Sequence, residues 1–156
     1  MRVVVYDTGM LIGLVGKERR AQALHKGFVA AGAHPPVVPG PALAQAYRTS
    51  PSTAYLWKRL LADSFVFPAP RTPPDERVPL HCLPCSAGFG TGDWQLLGDV
   101  IGSAALPQKK RADPVDALAV LIAAKHGGGS VLTSDRGDIE AYAAALPGCD
   151  VTAVPV

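Results

Sequence analysis

Hydrophobic residues fall into two kinds of segment along the chain, short continuous apolar runs and longer stretches with apolar residues at helical spacing. The short runs predict buried strands of a parallel sheet, because strands that are covered on both faces are apolar at every position. They lie at residues 3–6, 37–38, 65–67, 131–133 and 151–156. Helical stretches separate these runs, so the pattern predicts an α/β fold with a central, mainly parallel sheet flanked by helices.

The composition indicates one globular domain over residues 1–156, because 48% of the residues are hydrophobic and 18% are charged. No apolar run approaches the roughly 20 residues of a membrane span, and Asp7 interrupts the first run too early for a signal peptide. We therefore expect no membrane partner and a cytoplasmic location. Six prolines within residues 68–84 predict a loop or insertion at about 68–92. A helix is predicted over 11–31, with an exposed turn at 17–20.

Carboxylates follow two of the predicted strands and begin one of the helices. Asp7 and Asp135 come after the first and fourth strands, and Asp116 lies in the first turn of a helix that starts after Asp113. Ligands bind beyond the carboxyl ends of parallel strands, and converging carboxylates need a cation. The sequence therefore predicts a site for Mg²⁺ or Mn²⁺, with Asp113 and Asp138 as further candidate ligands.

Helix capping is the alternative explanation for each of these acids. Asp113-x-x-Asp116 and Asp135-x-x-Asp138 have the spacing of residues that cap a helix and interact with its N-terminal dipole. Asp7 is equally suited to cap the helix that follows it. The combination of two strand ends with a helix start favours a site over three separate caps.

Four segments together resemble the PIN-domain ribonucleases, most closely the VapC-like toxins of bacterial toxin–antitoxin pairs. They are Val-Val-Val-Tyr-Asp-Thr-Gly at residues 3–9, the strand end and helix at 38–48, Val-Asp-Ala at 115–117 and Val-Leu-Thr-Ser-Asp at 131–135. The resemblance covers about residues 1–60 and 112–156. The order and spacing of the four segments together carry the resemblance.

The resemblance implies a single PIN-like domain that hydrolyses RNA phosphodiester bonds. Mg²⁺ or Mn²⁺ would be held by Asp7, Asp116 and Asp135, and Thr8 or Ser134 would orient a carboxylate or a water molecule. The implied partners are RNA, a small antitoxin that covers the acidic cleft, and a second copy of the chain in a homodimer.

One residue departs from the family pattern, which usually has Glu where this chain has Gln45. The Gln amide can coordinate or hydrogen-bond, but it carries no charge. A catalytically weak or inactive PIN-like domain that binds RNA or protein is therefore the alternative. A phosphatase of the haloacid-dehalogenase type fits less well, because Gly9 occupies the position of its second Asp.

Basic residues are the candidates for RNA contact. They are Arg48, Lys109, Lys110 and Arg111. Such groups can hold phosphates around an acidic metal centre, and ordinary solvated helix faces are the alternative. The net charge of +2 does not by itself indicate a nucleic-acid partner.

Cys82 and Cys85 form a Cys-x-x-Cys pair within the proline-rich segment. Zinc needs four ligands, and a thioredoxin-like pair needs a βα context that is lacking here. We interpret the two cysteines as a plain loop pair, with metal binding and redox chemistry as alternatives. His34 and His126 are interpreted as surface or helix-end residues.

Overall fold

The computed structural model describes residues 2–32, 34–48, 50–68, 82–107 and 110–156. Five strands in these ranges form one sheet in the order β3-β2-β1-β4-β5, and every neighbouring pair is parallel. They are β1 (Val3–Tyr6), β2 (Val37–Pro39), β3 (Phe65–Phe67), β4 (Gly129–Thr133) and β5 (Val151–Pro155). The predicted α/β class with a parallel sheet flanked by helices is confirmed.

Eight helices in the described part of the chain cover the sheet. They are α1 (Thr8–Val15), α2 (Arg19–Ala31), α3 (Gly40–Ala46), α4 (Ala54–Asp63), α5 (Leu83–Ala87), α6 (Thr91–Ser103), α7 (Pro114–Lys125) and α8 (Arg136–Ala144). Within the described ranges, we find no helix whose length and hydropathy together match a membrane-spanning segment.

The predicted helix over 11–31 is wrong in one respect, because the chain breaks it into α1 and α2. Lys17 adopts a left-handed backbone conformation with φ of 62°, which no helix continues through. The break turns α2 back against α1. A Cβ atom built on Gly13 would lie only 3.3 Å from the Cβ of Ala21, so a glycine at this position allows the close approach.

The predicted loop at 68–92 is only partly irregular. Residues 69–81 lie outside the described residues. Beyond them, α5 occupies Leu83–Ala87 and α6 begins at Thr91. Pro84 is tolerated because it lies in the first turn of α5, where a helix leaves its backbone N–H groups unpaired. The sequence prediction failed here because it counted prolines without considering their position in a helix.

The two faces of the sheet carry separate hydrophobic clusters, because successive residues of a strand point to opposite sides. Val3 and Val5 of β1 pack with α7 and α8, whereas Tyr6 packs with α1 and α4. α7 is buried around most of its circumference, with eight of its twelve residues buried. A helix that is apolar on all sides belongs in the centre of a domain.

The strand order creates a switch point between β1 and β4. β2 and then β3 lie on one side of β1 in the sheet. β4 and then β5 lie on its other side. In open parallel sheets, the connections that follow the two strands at such a point diverge and leave a crevice at the carboxyl edge.

Candidate functional site

The switch point brings Asp7 beside the segment that follows β4. Tyr6 pairs with Leu132, and the backbone N–H of Asp7 donates to the Leu132 carbonyl at 3.1 Å. The start of α1 lies against Ser134, since a Cβ atom built on Gly9 would be 2.7 Å from the Ser134 Cβ. Gly9 therefore permits the two chain segments to meet at this edge.

Asp7 is a buried carboxylate that is held in place by hydrogen bonds. Its side chain is the N-cap of α1 and accepts from the Met10 N–H at 2.7 Å. Burial raises the pKa of Asp7, and hydrogen bonds from the Thr133 hydroxyl and from backbone N–H groups oppose the rise. Thr133 Oγ1 also accepts from the Asp135 N–H at 2.8 Å, so one hydroxyl links Asp7 to the loop of Asp135.

Asp116 is the acidic residue whose pKa is affected by all four of the others. Burial raises its pKa to about 7, and the negative charges of Asp113, Asp7, Asp138 and Asp135 add to the rise in that order. No described residue donates a hydrogen bond to the Asp116 side chain. The other four aspartates that the sequence analysis proposed as metal ligands therefore act electrostatically on Asp116, and we refer to the five residues as the acidic cluster.

Asp113 has a capping role as well as a place in the acidic cluster. Its side chain accepts from the Val115 N–H at 2.8 Å at the start of α7. Its own backbone N–H donates to the Tyr142 hydroxyl oxygen at 2.8 Å. Burial raises the pKa of Tyr142, as do the charges of Asp116, Asp138 and Asp113. Tyr142, which is carried by α8, was not singled out from the sequence, because nothing local shows that it reaches the cluster.

Lys110 supplies the cation that the acidic cluster contains in this structure. Its Nζ donates to Asp135 Oδ2 and lies 3.2 Å from both carboxylate oxygens of Asp138. Asp138 is only 5% exposed, whereas the side chain of Asp135 is partly open to solvent. The hydrogen bond to Asp135 is the main reason why the pKa of Lys110 is raised. Lys110 was proposed from the sequence as an RNA contact, and the structure places it among the acids.

The other predicted catalytic residues lie at the rim of the acidic cluster. Thr8 Oγ1 donates to Gln45 Oε1 at 2.7 Å, which brings α3 to the residue after Asp7. Gln45 is exposed and Ser134 is exposed beside Gly9. The rim therefore offers neutral polar groups, while the negative charge is concentrated inside.

The remaining predicted RNA contacts are spread out. Arg48 is exposed and donates to the carbonyl of its neighbour Tyr47 at 2.7 Å. Arg111 is exposed next to Lys110, and Lys109 lies outside the described residues. Their predicted contact with RNA stays a prediction.

The donor chemistry of the acidic cluster fits a hard divalent cation. Carboxylate oxygens are the ligands that Mg²⁺ and Mn²⁺ prefer, and the mutual repulsion that raises the Asp116 pKa is what such an ion would relieve. The contacts with Lys110 show that a positive group already approaches two of the five acids.

Comparison with known proteins does not add to this geometry. No protein-family model matches the chain. No curated protein matches it significantly either. The PIN resemblance therefore rests on the sequence motifs alone.

Proposed function

We propose that the chain is a metal-dependent endoribonuclease of the PIN type, which hydrolyses RNA phosphodiester bonds with Mg²⁺ or Mn²⁺. The observation that carries the proposal is the raised pKa of Asp116 among four other carboxylates at the switch point of the sheet. Capping explains the positions of Asp7 and Asp113, whose side chains accept backbone hydrogen bonds. It does not explain why Asp116 is kept among like charges without such a bond.

In this proposal Asp7, Asp116 and Asp135 hold the cation, and Asp138 and Asp113 add negative charge around it. A bound Mg²⁺ or Mn²⁺ supplies an activated water molecule and neutralises charge on the phosphoryl oxygens. The hydrogen bonds that fix the Asp7 carboxylate keep it oriented before substrate arrives. Thr8, whose hydroxyl donates a hydrogen bond to Gln45, would orient a carboxylate or a water molecule at the rim.

Cleavage of a mixed RNA pool by the purified protein tests the proposal. We expect cleavage in Mn²⁺ that is lost in EDTA and in the Asp7→Asn variant, since the amide keeps the shape of the side chain but removes its charge. Asp99→Asn is the matched control, because Asp99 is an exposed acid on α6 outside the acidic cluster. Cleavage that persists in Asp7→Asn would show that the activity does not depend on this site.

A PIN-like binding domain without catalysis is the second candidate, and two observations favour it. Gln45 carries no charge, and Lys110 already pairs with both Asp135 and Asp138 with no added ion. Such a domain would bind RNA or a protein partner in the presence of EDTA. A gel-shift titration of RNA with and without Mn²⁺ separates the two, because binding that is independent of the metal and without cleavage supports the second candidate.

The remaining partners belong to the same proposal, namely a small antitoxin, a homodimer and action in the cytoplasm. Exposed apolar side chains on the α1 and α4 side support a protein partner, since Ile12 is 55% exposed and Tyr55 is 65% exposed. Light scattering after size exclusion tests the homodimer, which predicts twice the mass of the 16.2 kDa chain.

A further inference from the structure

A second group of potential metal ligands lies apart from the acidic cluster. It consists of His34, Cys82, Cys85 and His126, and we refer to it as the Cys₂His₂ cluster. Each of the four residues offers one nitrogen or sulfur atom, and all four atoms lie within 4.8 Å of one another. The structure thus corrects the interpretation of the cysteines as a plain loop pair, because Cys82 and Cys85 belong to α5 and lie beside two histidines. His126 lies at a helix end as predicted, because it is the C-cap of α7.

The Cys₂His₂ cluster lies at the opposite edge of the sheet from the acidic cluster. His34 precedes β2 and His126 precedes β4, so both lie where parallel strands begin. The acidic cluster follows the ends of β1 and β4. Cys82 is the N-cap of α5, and Cys85 lies within that helix. The cluster therefore joins three separate parts of the described chain.

We propose that the Cys₂His₂ cluster binds one structural Zn²⁺ ion. Zinc in proteins is held tetrahedrally at about 2.3 Å from sulfur and about 2.0–2.1 Å from nitrogen, which requires sulfur–nitrogen separations of roughly 3.6 Å. The Cys85 Sγ lies 3.4 Å from His34 Nε2 and 3.2 Å from His126 Nε2, and the Cys82 Sγ lies 3.5 Å from His34 Nε2. These three separations are close to the value that a zinc ion requires.

Both imidazole rings are oriented by backbone carbonyls on their far side. Nδ1 of His34 lies 2.7 Å from the Pro35 carbonyl, and Nδ1 of His126 lies 2.7 Å from the Ile122 carbonyl. A carbonyl accepts only from a protonated nitrogen, so each Nε2 presents its lone pair to the cysteines. Such outer hydrogen bonds fix the tautomer and the orientation of metal-binding histidines in general.

Charge and access also suit zinc. Cys82 is 6% exposed and Cys85 is 4% exposed, and two buried thiolates balance the charge of one divalent cation. Binding would release the two thiol protons to solvent. A cavity of about 530 Å³, lined among others by Cys82 and His126, provides a route for the ion. Sulfur and imidazole ligands select zinc and exclude Mg²⁺, so the two clusters require different metals.

Four protein ligands leave no position for substrate, so this ion stabilises the fold and takes no part in catalysis. The zinc ion would connect the five-residue helix α5 to the end of α7 and to the segment before β2. Zinc at a thousandfold its Kd should raise the melting temperature by roughly 8–16 °C for a chain of this size.

Cobalt substitution tests the site. Protein purified under reducing conditions and stripped with a chelator is titrated with Co²⁺ and then with Zn²⁺. We expect one Co²⁺ per chain with the visible spectrum of tetrahedral cobalt and a sulfur charge-transfer band, both abolished by one equivalent of Zn²⁺. The double variant Cys82→Ser/Cys85→Ser should lose the charge-transfer band and the thermal shift. Cys149→Ser is the matched control and should retain both, since Cys149 lies outside the cluster.

The inference is overturned if the reduced wild type shows no tetrahedral cobalt spectrum, or if the double variant binds like the wild type. A disulfide between Cys82 and Cys85 that persists in the presence of zinc and reductant would also overturn it. His126→Ala, which keeps both thiols, should retain the charge-transfer band with a weaker, altered visible spectrum. None of these readouts involves RNA, so the result is independent of the proposed ribonuclease activity.

Discussion

Replacement of Asp116 by Asn should make the metal-free protein more stable at pH 8. The substitution keeps the shape of the side chain and removes one of five converging negative charges. Because burial and the neighbouring aspartates raise the pKa of Asp116 to about 7, the carboxylate is ionised at pH 8 against the preference of its surroundings. A residue kept in an unfavourable state of this kind is typical of a functional site.

The size of the gain follows from the pKa. A rise from the ordinary value of about 3.9 to about 7 corresponds to roughly 4 kcal/mol of destabilisation of the ionised form. Asp116 keeps partial access to solvent, which screens the repulsion, so we expect about half of this, or ~2 kcal/mol.

The gain should depend on pH with a definite sign. The native state binds the Asp116 proton more tightly than the unfolded state, so the wild type loses stability as pH rises from about 4 to about 7. The advantage of Asp116→Asn should therefore be complete above about pH 7. It should be smaller at pH 5 and vanish below about pH 4.

Urea unfolding in EDTA at pH 8 and pH 5 measures this directly, because the free energy of unfolding is obtained for both proteins under the same conditions. Asp99→Asn is the control and should change the free energy by less than about 0.5 kcal/mol at either pH. If Asp116→Asn is neutral or destabilising at pH 8, the carboxylates do not converge as described and the reasoning fails.

Three further predictions concern Mn²⁺ affinity, measured by calorimetry. The affinity of the wild type should fall about fivefold from pH 7 to pH 6, because the proton on Asp116 competes with the ion; constant affinity would contradict this. Lys110→Ala should tighten binding several-fold, because it frees Asp135 and Asp138 from an ammonium group, and weaker binding would show that Lys110 supports the site. Gln45→Glu should also tighten binding, and unchanged affinity would show that Gln45 does not face the metal.

The strands were the most predictable part of the fold. The bounds of β1 and β3 coincide with the apolar runs at 3–6 and 65–67, because a strand that is buried on both faces is a continuous run of apolar residues in the sequence. The break between α1 and α2 was not predictable in the same way. It depends on the left-handed conformation of Lys17, which the amino-acid type does not demand.

The acidic cluster could be predicted because its members follow strand ends and helix starts that the sequence itself reveals. The pairing of Lys110 with Asp135 and Asp138 could not, since a long exposed side chain has many partners within reach. The Cys₂His₂ cluster was hidden for a different reason. His34 is 48 and 51 residues from the two cysteines and His126 is 41 residues from Cys85, and only the folded sheet brings these segments together.

Calorimetric titration with Mn²⁺ tests the central claim most directly, because it asks whether the acidic cluster is a metal site without requiring the RNA substrate. The wild type and Asp99→Asn should bind Mn²⁺ with the same affinity, and Asp7→Asn should lose that binding. If the wild type binds no Mn²⁺, or if Asp7→Asn binds it equally well, the aspartates at the end of the sheet are not a metal centre.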